Sequence, residues 1–435
     1  MRLERIDSSA FAELGADAVA ARLRGMVPDG ASVADDVRAI IEAVRAEGDV
    51  AVARYTRTFD APDAPERPLR VTPEELDTAI TRLPLEVVAG LQVAIANVAL
   101  VAEAGVHSDG AVTLPQGQRI ALREVPVSAA AVYVPAGRAP YPSTVVMGVV
   151  CARSAGVVDV SVCAPPGPDG DIDPMILGTC RLCGVERVYR MGGAQAIAAL
   201  AYGTDAVDRV EVIVGPGNLY VQEAKHQLSR VVGIDGFAGP SDLLVALGPG
   251  AAHHDLEVAA LDMLAQGEHG EASLVVATSP SEDVCSGLAT VLERLVLGRP
   301  TVADAAFGIV AVPGPREAIT FANAFAPEHV QLIGPELEQL AALVTSAGCV
   351  FIGADSGTAF GDYVAGSNHV LPTSGAARFA SGLSPRHFRR SMTEVRIGEA
   401  APKLAAAAAP IARAEGFEVH AESMEARTVR ENGPT

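Results

Sequence analysis

AAAVYVP (residues 129–135), STVVMGVVCARSAG (143–156) and VVDVSVCAP (157–165) set a short β-branched run, a longer apolar stretch and a second short run in succession. A strand buried on both faces needs no polar alternation. A short apolar run followed by a helix and another such run is therefore the mark of a parallel sheet. The rhythm continues through IDPMILGTCRLCG (172–184), VERVYRM (185–191), GGAQAIAALAYG (192–203), VEVIVGPG (210–217) and NLYVQEAKHQLS (218–229). It restarts after GPSD (239–242) with LLVALG (243–248), a helix ending in DMLAQGEHG (262–270), ASLVVAT (272–278), CSGLATVLERLVLG (285–298), FGIVAVPG (307–314) and CVFIGA (349–354). Strands alternating with helices predict an α/β fold of two Rossmann-like, doubly wound parallel-sheet units.

The flanks lack that rhythm. Residues 1–26 predict a small helical N-terminal appendage. Residues 27–131, mostly helical with EVVAGLQVAIANVALVAEAG (86–105) as their longest element, are expected to pack with 239–382 as one discontinuous α/β domain. Residues 132–238 form the other α/β domain. Residues 383–435, Ala-rich around KLAAAAAPIARAEGF (403–417), predict a helical tail too small to own a core.

A chain of 435 residues, 49% hydrophobic, is long enough for two cored domains. Its net charge of −20, without a run of Lys or Arg, argues against a nucleic-acid partner. MRLERIDSSAFAEL (1–14) lacks the apolar core of a signal peptide. VVAGLQVAIANVALVA (87–102) is interrupted by Gln92 and Asn97 and falls short of the ~20 residues that a bilayer needs. The expectation is a soluble cytoplasmic protein with no membrane partner. Six scattered cysteines make no disulfide framework, and Cys180 and Cys183, a CxxC without a second pair, read as one packed helix face.

At helical spacing Asp262, Gln266 and His269 fall together, opposite the stripe of Leu256, Ala260, Met263 and Leu264. Such a face is either solvated or one half of a site whose partners lie elsewhere. In open parallel sheets ligands bind where strands end and helices begin. There YVPAGRAPYPST (133–144), GGAQA (192–196) and GPGN (215–218) offer glycines and amide donors, and Tyr133, Gln195 and Asn218 are the polar side chains placed to hold a nucleotide. None is a GxGxxG fingerprint, so tight strand-to-helix turns are an equal reading. FAPEHV (325–330) sets Glu328 beside His329, and both can serve one site only if the turn after Pro327 twists the backbone. GDYVAGSNHVLPT (361–373) is a Gly-rich loop with Asp362 and His369, and EGFEVH (415–420) carries Glu415 and His420. His253 and His254 read as first-turn surface residues, and the sequence alone does not pair His107, His226 and His387 with polar companions.

Together with YTRTFD (55–60), VGPGNLYVQEAK (214–225) and GPSDLL (239–244), these segments in this order resemble the histidinol dehydrogenase family. The resemblance implies an NAD-dependent oxidoreductase of histidine biosynthesis that oxidises L-histidinol through L-histidinal to L-histidine, with two NAD and one zinc ion per subunit. By it, Gln266, His269, Asp362 and His420 hold the zinc, and the same four residues with Ser241, Glu328, His329 and Glu415 contact substrate. His329 is the implied base, Glu328 activates water for the second oxidation, and Tyr133, Gln195 and Asn218 contact NAD. Metal and catalytic residues then fall in 27–131 with 239–382, and NAD binds 132–238. The family's tail crosses a dimer interface, which implies a homodimer in which 383–435 serves the partner's site. The alternative is a related zinc- and NAD-dependent dehydrogenase acting on another polar alcohol, such as a sulfonated diol. A zinc hydrolase lacks its HExxH. The chain departs from the family pattern at Ala136-Gly137, where two glycines are usual, at Gly267 and Gly270, where Ala and Asp are frequent, and at Asp242, where Glu is common. None of these removes an implied ligand.

Overall fold

The computed structural model describes residues 2–27, 32–135, 139–236, 239–302 and 304–428. The chain divides into two compact units, Met1–Gly105 with Ser128–Phe388, and Val106–Val127 with Arg389–Thr435. Ala136 and Gly137 lie outside the described residues.

The first unit opens with β1 (Arg2–Ile6), α1 (Ser8–Leu14) and α2 (Ala16–Arg24), then α3 (Ala34–Glu47), α4 (Asp49–Tyr55), a π-helical turn at Thr56–Asp60, α5 (Pro73–Thr81) and α6 (Leu85–Ala104). A hairpin of the second unit, β2 (Gly110–Thr113) and β3 (Arg119–Pro126), interrupts it. One strand–helix series follows: β4 (Ala129–Tyr133), α7 (Pro142–Ser154), β5 (Asp159–Ala164), α8 (Pro174–Leu182), β6 (Arg187–Arg190), α9 (Gly193–Tyr202), β7 (Val212–Val214), α10 (Leu219–Leu228) and β8 (Gly233–Ile234). The other runs β9 (Asp242–Leu247), α11 (His253–Gly267), β10 (Leu274–Ser279), α12 (Glu282–Val296), β11 (Ala306–Ala311), α13 (Pro315–Phe325), β12 (His329–Ile333), α14 (Pro335–Glu338), β13 (Cys349–Ile352) and α15 (Thr358–Tyr363). The second unit ends with β14 (Arg389–Arg396), α16 (Ala401–Ala414) and α17 (Glu418–Glu425).

Among the described residues the first unit holds two all-parallel sheets, ordered β6-β5-β4-β7-β8 and β1-β11-β10-β9-β12-β13. The expected α/β class and doubly wound sheets are what the chain forms. In the six-stranded sheet alternate residues serve opposite faces. Leu243, Val245 and Leu247 of β9 pack with α11 and α12, while Leu244 and Ala246 pack with α1, α2 and α13.

Three local expectations are corrected. The N-terminal segment is not only helical: β1 pairs in parallel with β11 at the sheet edge, because Ile6 and Leu3 are taken up by the two cores beneath it. The helices of 34–104 do not pack on the six-stranded sheet. Val37, Ile40, Val44 and Val52 of α3 and α4 join Ile197, Leu200 and Val221 over the five-stranded one, and α6 packs on Val146, Met147 and Val150 of α7. The tail is not wholly helical, since β14 pairs antiparallel with β3 along Arg389–Arg396.

The apolar stretch near residue 90 is also longer than its sequence core indicates. α6 spans 20 residues and is long and apolar enough, by length and composition, to cross a membrane. Here one face of it is a packing surface: Leu91, Ala94, Val98 and Ala102 are buried, and the Asn97 amide donates to the Val364 carbonyl at 2.7 Å.

The N-terminal segment carries core weight through Leu23, which is fully buried against the six-stranded sheet. Leu23→Ala is expected to lower unfolding stability by about 3 kcal/mol, read from the denaturant midpoint. A segment that merely decorates the surface would leave the midpoint unchanged.

Candidate active site

The six-stranded sheet presents its candidate residues at the amino ends of its strands. Ser241 precedes β9, and Glu328 and His329 stand at the head of β12, the strand beside it. Helix α11 runs back from the far end of β9, so its last turn returns Gln266 to the same edge. The helix ends at Gly267 with Glu268 as its C-cap, which places His269 in the turn beyond rather than on the helix. An alanine at 267 would bring a Cβ 3.3 Å from Phe307 Cζ and 3.4 Å from Ala305 Cβ, so the glycine lets the helix end lie against the sheet. Gly270 takes φ +134°, a conformation that strains a residue with a side chain.

The predicted polar face is a buried one. Gln266 is 2% exposed; its amide nitrogen donates to Ser241 Oγ at 2.5 Å, and Ser241 in turn donates to Glu328 Oε2 at 2.5 Å. Asp262 does not join this relay: Gln331 Nε2 donates to its Oδ2 at 2.9 Å. The twist needed to bring Glu328 and His329 to one site is present, because Ala326 adopts the left-handed conformation at φ 48° as the C-cap of α13, immediately before Pro327. His329 Nδ1 lies 3.9 Å from Glu328 Oε2, and its Nε2 lies 3.7 Å from Asp362 Oδ1, which descends from α15. Both distances exceed hydrogen-bond reach. His329 Nδ1 is buried with no hydrogen-bond partner.

His369 joins the cluster from the Gly-rich loop, with Nδ1 3.0 Å from the Asp362 carbonyl and Nε2 3.4 Å from Thr144 Oγ1. Thr144 lies in the first turn of α7, just past the carboxyl end of β4, and the Asn368 amide donates to the Met147 carbonyl at 3.0 Å. The carboxyl edge of one sheet thus meets the amino edge of the other through this loop.

Burial sets the electrostatics. It pushes Glu328 well above the usual carboxylate range and Asp362 up to about 7. It draws His369 down to about 4 and His329 down to about 3, the latter also disfavoured as a cation by nearby His269 and His369. Burial likewise lowers His269. Every group leans toward its uncharged form, which leaves imidazoles with free lone pairs beside carboxylates lacking a counter-charge. That donor chemistry fits a divalent cation, whose charge would hold the carboxylates ionised. Among the described residues no group of three or more His, Cys, Asp or Glu is gathered as a metal site. The implied set would not form one within this unit, since it draws only His269 and Asp362 of those types from it.

The three candidate nucleotide residues stand at one edge of the five-stranded sheet, in different states. Tyr133, the last residue of β4, is buried, and its hydroxyl accepts from the Gly193 amide at 3.2 Å. Gln195 is buried and donates through Nε2 to Asp60 Oδ2 at 3.2 Å. Asn218 is exposed and caps α10, accepting from the Val221 amide at 3.1 Å. Two of the three therefore shape the strand-to-helix turn from within. Asp60, which burial raises to about 6, was not singled out by the sequence reading; its signal was the acidic end of YTRTFD. Asp242, whose amide donates to Glu328 Oε2 at 3.2 Å, was noted only as a departure.

Glu415 and His420 belong to the second unit. Glu415 is the C-cap of α16, and His420 lies on α17 with its ring 5.1 Å from that of Phe417; both residues are exposed.

Comparison with known proteins identifies the family. The histidinol dehydrogenase family pattern matches residues 26–428. The chain is 39% identical to the histidinol dehydrogenase of Gluconobacter oxydans over 434 residues, covering 98% of this chain and 99% of that one. It is 40% identical to the enzyme of Ruegeria pomeroyi over 407 residues, covering 91% and 92%. The crystal structure of histidinol dehydrogenase from Elizabethkingia anophelis superposes with a TM-score of 0.90 at 30% identity, covering 98% of each chain. On a family match that spans residues 26–428 and relatives alike over nearly the whole chain, this chain belongs to the histidinol dehydrogenase family.

Proposed function

We propose that this chain, an NAD-dependent oxidoreductase, carries L-histidinol through L-histidinal to L-histidine at a single site, with His329 as proton acceptor and Glu328 as activator of water. The observation that carries this reading is the buried relay from Gln266 through Ser241 to Glu328, set beside His329 at the head of β12.

Each oxidation removes a hydride and a proton from the reacting carbon and its oxygen. When bound, NAD accepts the hydride, and one zinc ion per subunit would grip the substrate's imidazole and amine and add positive charge to the pocket. Gln266, His269, Asp362 and His420 would hold that ion. With its nitrogen engaged by Ser241, Gln266 would present its amide oxygen. Ser241 and Glu415 would contact substrate directly.

Burial keeps the His329 ring neutral, so a lone pair is available for the first proton transfer. The second oxidation starts from an aldehyde, which must gain a water oxygen before it can lose hydride. Held ionised by the cation's charge, Glu328 would take the proton of that water, and Ser241 and the Asp242 amide orient its carboxylate. Burial of the site keeps the amino aldehyde from competing reactions. Tyr133, Gln195 and Asn218 form the NAD edge, the first two by shaping the turn at Gly192–Gly193 and the third from an exposed helix cap.

In the same reading the enzyme is a cytoplasmic homodimer in which Glu415 and His420 of each chain complete the other chain's site. All six cysteines are free, as a reducing compartment requires. The tail residues' exposure leaves them available for such a role.

With limiting L-histidinol, excess NAD and zinc-loaded protein, two NADH are expected per histidinol consumed. One NADH would mean that the aldehyde is released, and none would move the substrate to another polar alcohol. Glu328→Gln is expected to slow NAD-dependent oxidation of L-histidinal by roughly a hundredfold or more while sparing its reduction by NADH, which needs no activated water. Equal losses in the two directions would remove Glu328 from that role.

His420→Asn is expected to lower zinc content, measured by elemental analysis. Mixing it with His329→Asn protein should restore about a quarter of wild-type activity, because only half of randomly formed dimers are mixed and each mixed dimer has one intact crossed site. Heterodimers that form and stay inactive would rule out the crossed tail.

A further inference from the structure

We propose that Arg24, in the last turn of α2, is a positioning residue for Glu328 and acts through Asp242. The inference rests on the role given above to Glu328. It concerns a residue two positions outside the stretch that the family pattern matches.

Glu328 is the last residue of a tight turn. Phe325 ends α13, Ala326 turns left-handed, Pro327 has no amide hydrogen, and the sheet ladder begins only at His329. The Glu328 amide lies outside the ladder and donates instead to Asp242 Oδ1 at 2.6 Å. Asp242 returns the contact, since its own amide donates to Glu328 Oε2 at 3.2 Å. Main chain and carboxylate of Glu328 are thus both held by one residue at the head of β9.

Asp242 is 1% exposed, and its other oxygen accepts from the Ser374 amide at 2.9 Å and from Arg24 Nη1 at 3.0 Å. The second arm of the same guanidinium, Nη2, donates to the Phe325 carbonyl at 2.5 Å, and its carbon lies 4.3 Å from the centre of the Phe325 ring. Arg24 therefore braces both sides of the turn: the carbonyl that enters it directly, and the amide that leaves it through Asp242. A planar fork with donors in fixed directions can do this, and a single ammonium cannot.

His329 does not depend on this brace. It pairs with Leu243 on one side and Cys349 on the other, and its ring lies 5.7 Å from that of Phe351. Loosening Arg24 should therefore displace Glu328 more than the base beside it. A side chain that merely fastened α2 to the sheet would instead lower both directions of the reaction together.

The test uses full-length, zinc-loaded Arg24→Gln and Arg24→Lys proteins, with Glu328→Gln alongside. L-histidinal is oxidised with NAD and, separately, reduced with NADH. For Arg24→Gln we expect oxidation to fall tenfold or more, the scale of effect that a misplaced reacting group produces, with reduction changed by less than about threefold. Arg24→Lys, which keeps the charge but only one point of contact, should show a smaller split in the same sense. It serves as the deciding variant if Arg24→Gln does not fold by circular dichroism. A selective Glu328→Gln with equal or absent effects in the folded Arg24 variants overturns this proposal alone. A Glu328→Gln that is not selective overturns the water-activating role and the proposal with it.

Discussion

Asp242 is a carboxylate buried at the head of a central strand, and such a group persists only if its oxygens are fully engaged. Engaging them obliges three distant segments to meet: α2 through Arg24, the loop after residue 370 through the Ser374 amide, and the turn into β12 through the Glu328 amide. Ser374 makes its contact from a left-handed backbone at φ 54°, a strain that the buried bond offsets. The site's shape follows from this convergence. Glu328 is placed by it, Ser241 is the neighbour that reaches Glu328, and Gln266 is drawn in as the neighbour of Ser241.

The two parallel sheets use opposite ends. Candidate nucleotide residues line the carboxyl edge of the five-stranded sheet, where strand-to-helix turns present amide donors. Glu328 and His329 lie at the amino edge of the six-stranded sheet. The Gly-rich loop joins them through His369 to Thr144 and Asn368 to the Met147 carbonyl. A hydride must pass from substrate to cofactor over van der Waals distance, so two edges sharing one loop are suited to the chemistry. The meeting place is buried enough that its acids and imidazoles favour their neutral forms, and this makes it receptive to a bound cation.

Much of this was readable along the chain. Apolar runs such as LLVALG and ASLVVAT became central strands because a strand covered on both faces has no place for polar residues. The Glu328–His329 pair and the Gln266 turn were identifiable from motif order. What escaped was non-local or conditional on packing. RLERI carries charges on a half-exposed strand, so its entry into the sheet edge depends on an open ladder offered by β11, about 300 residues away. The helices of 34–104 carry apolar faces that fit either sheet, and nothing in their periodicity says which one. Tyr133 and Gln195 read as ligand-facing side chains but turned inward, because Gly193 and Asp60 offered them buried partners.

The sequence by itself determined the α/β class, the residue types able to carry proton transfer and metal ligation, and the order of motifs that marks the family, because periodicity and side-chain chemistry are local properties. Only the tertiary structure decided that Gln266 is buried, that Asp262 belongs to Gln331, and that Arg24 stands behind Glu328. Arg24 and Asp242 are 218 residues apart, and Asp242 and Glu328 a further 86. Their meeting is set by strand order, which places β9 beside β12 and closes the core under α2, and by the need of a buried carboxylate for partners from whichever segments lie within reach.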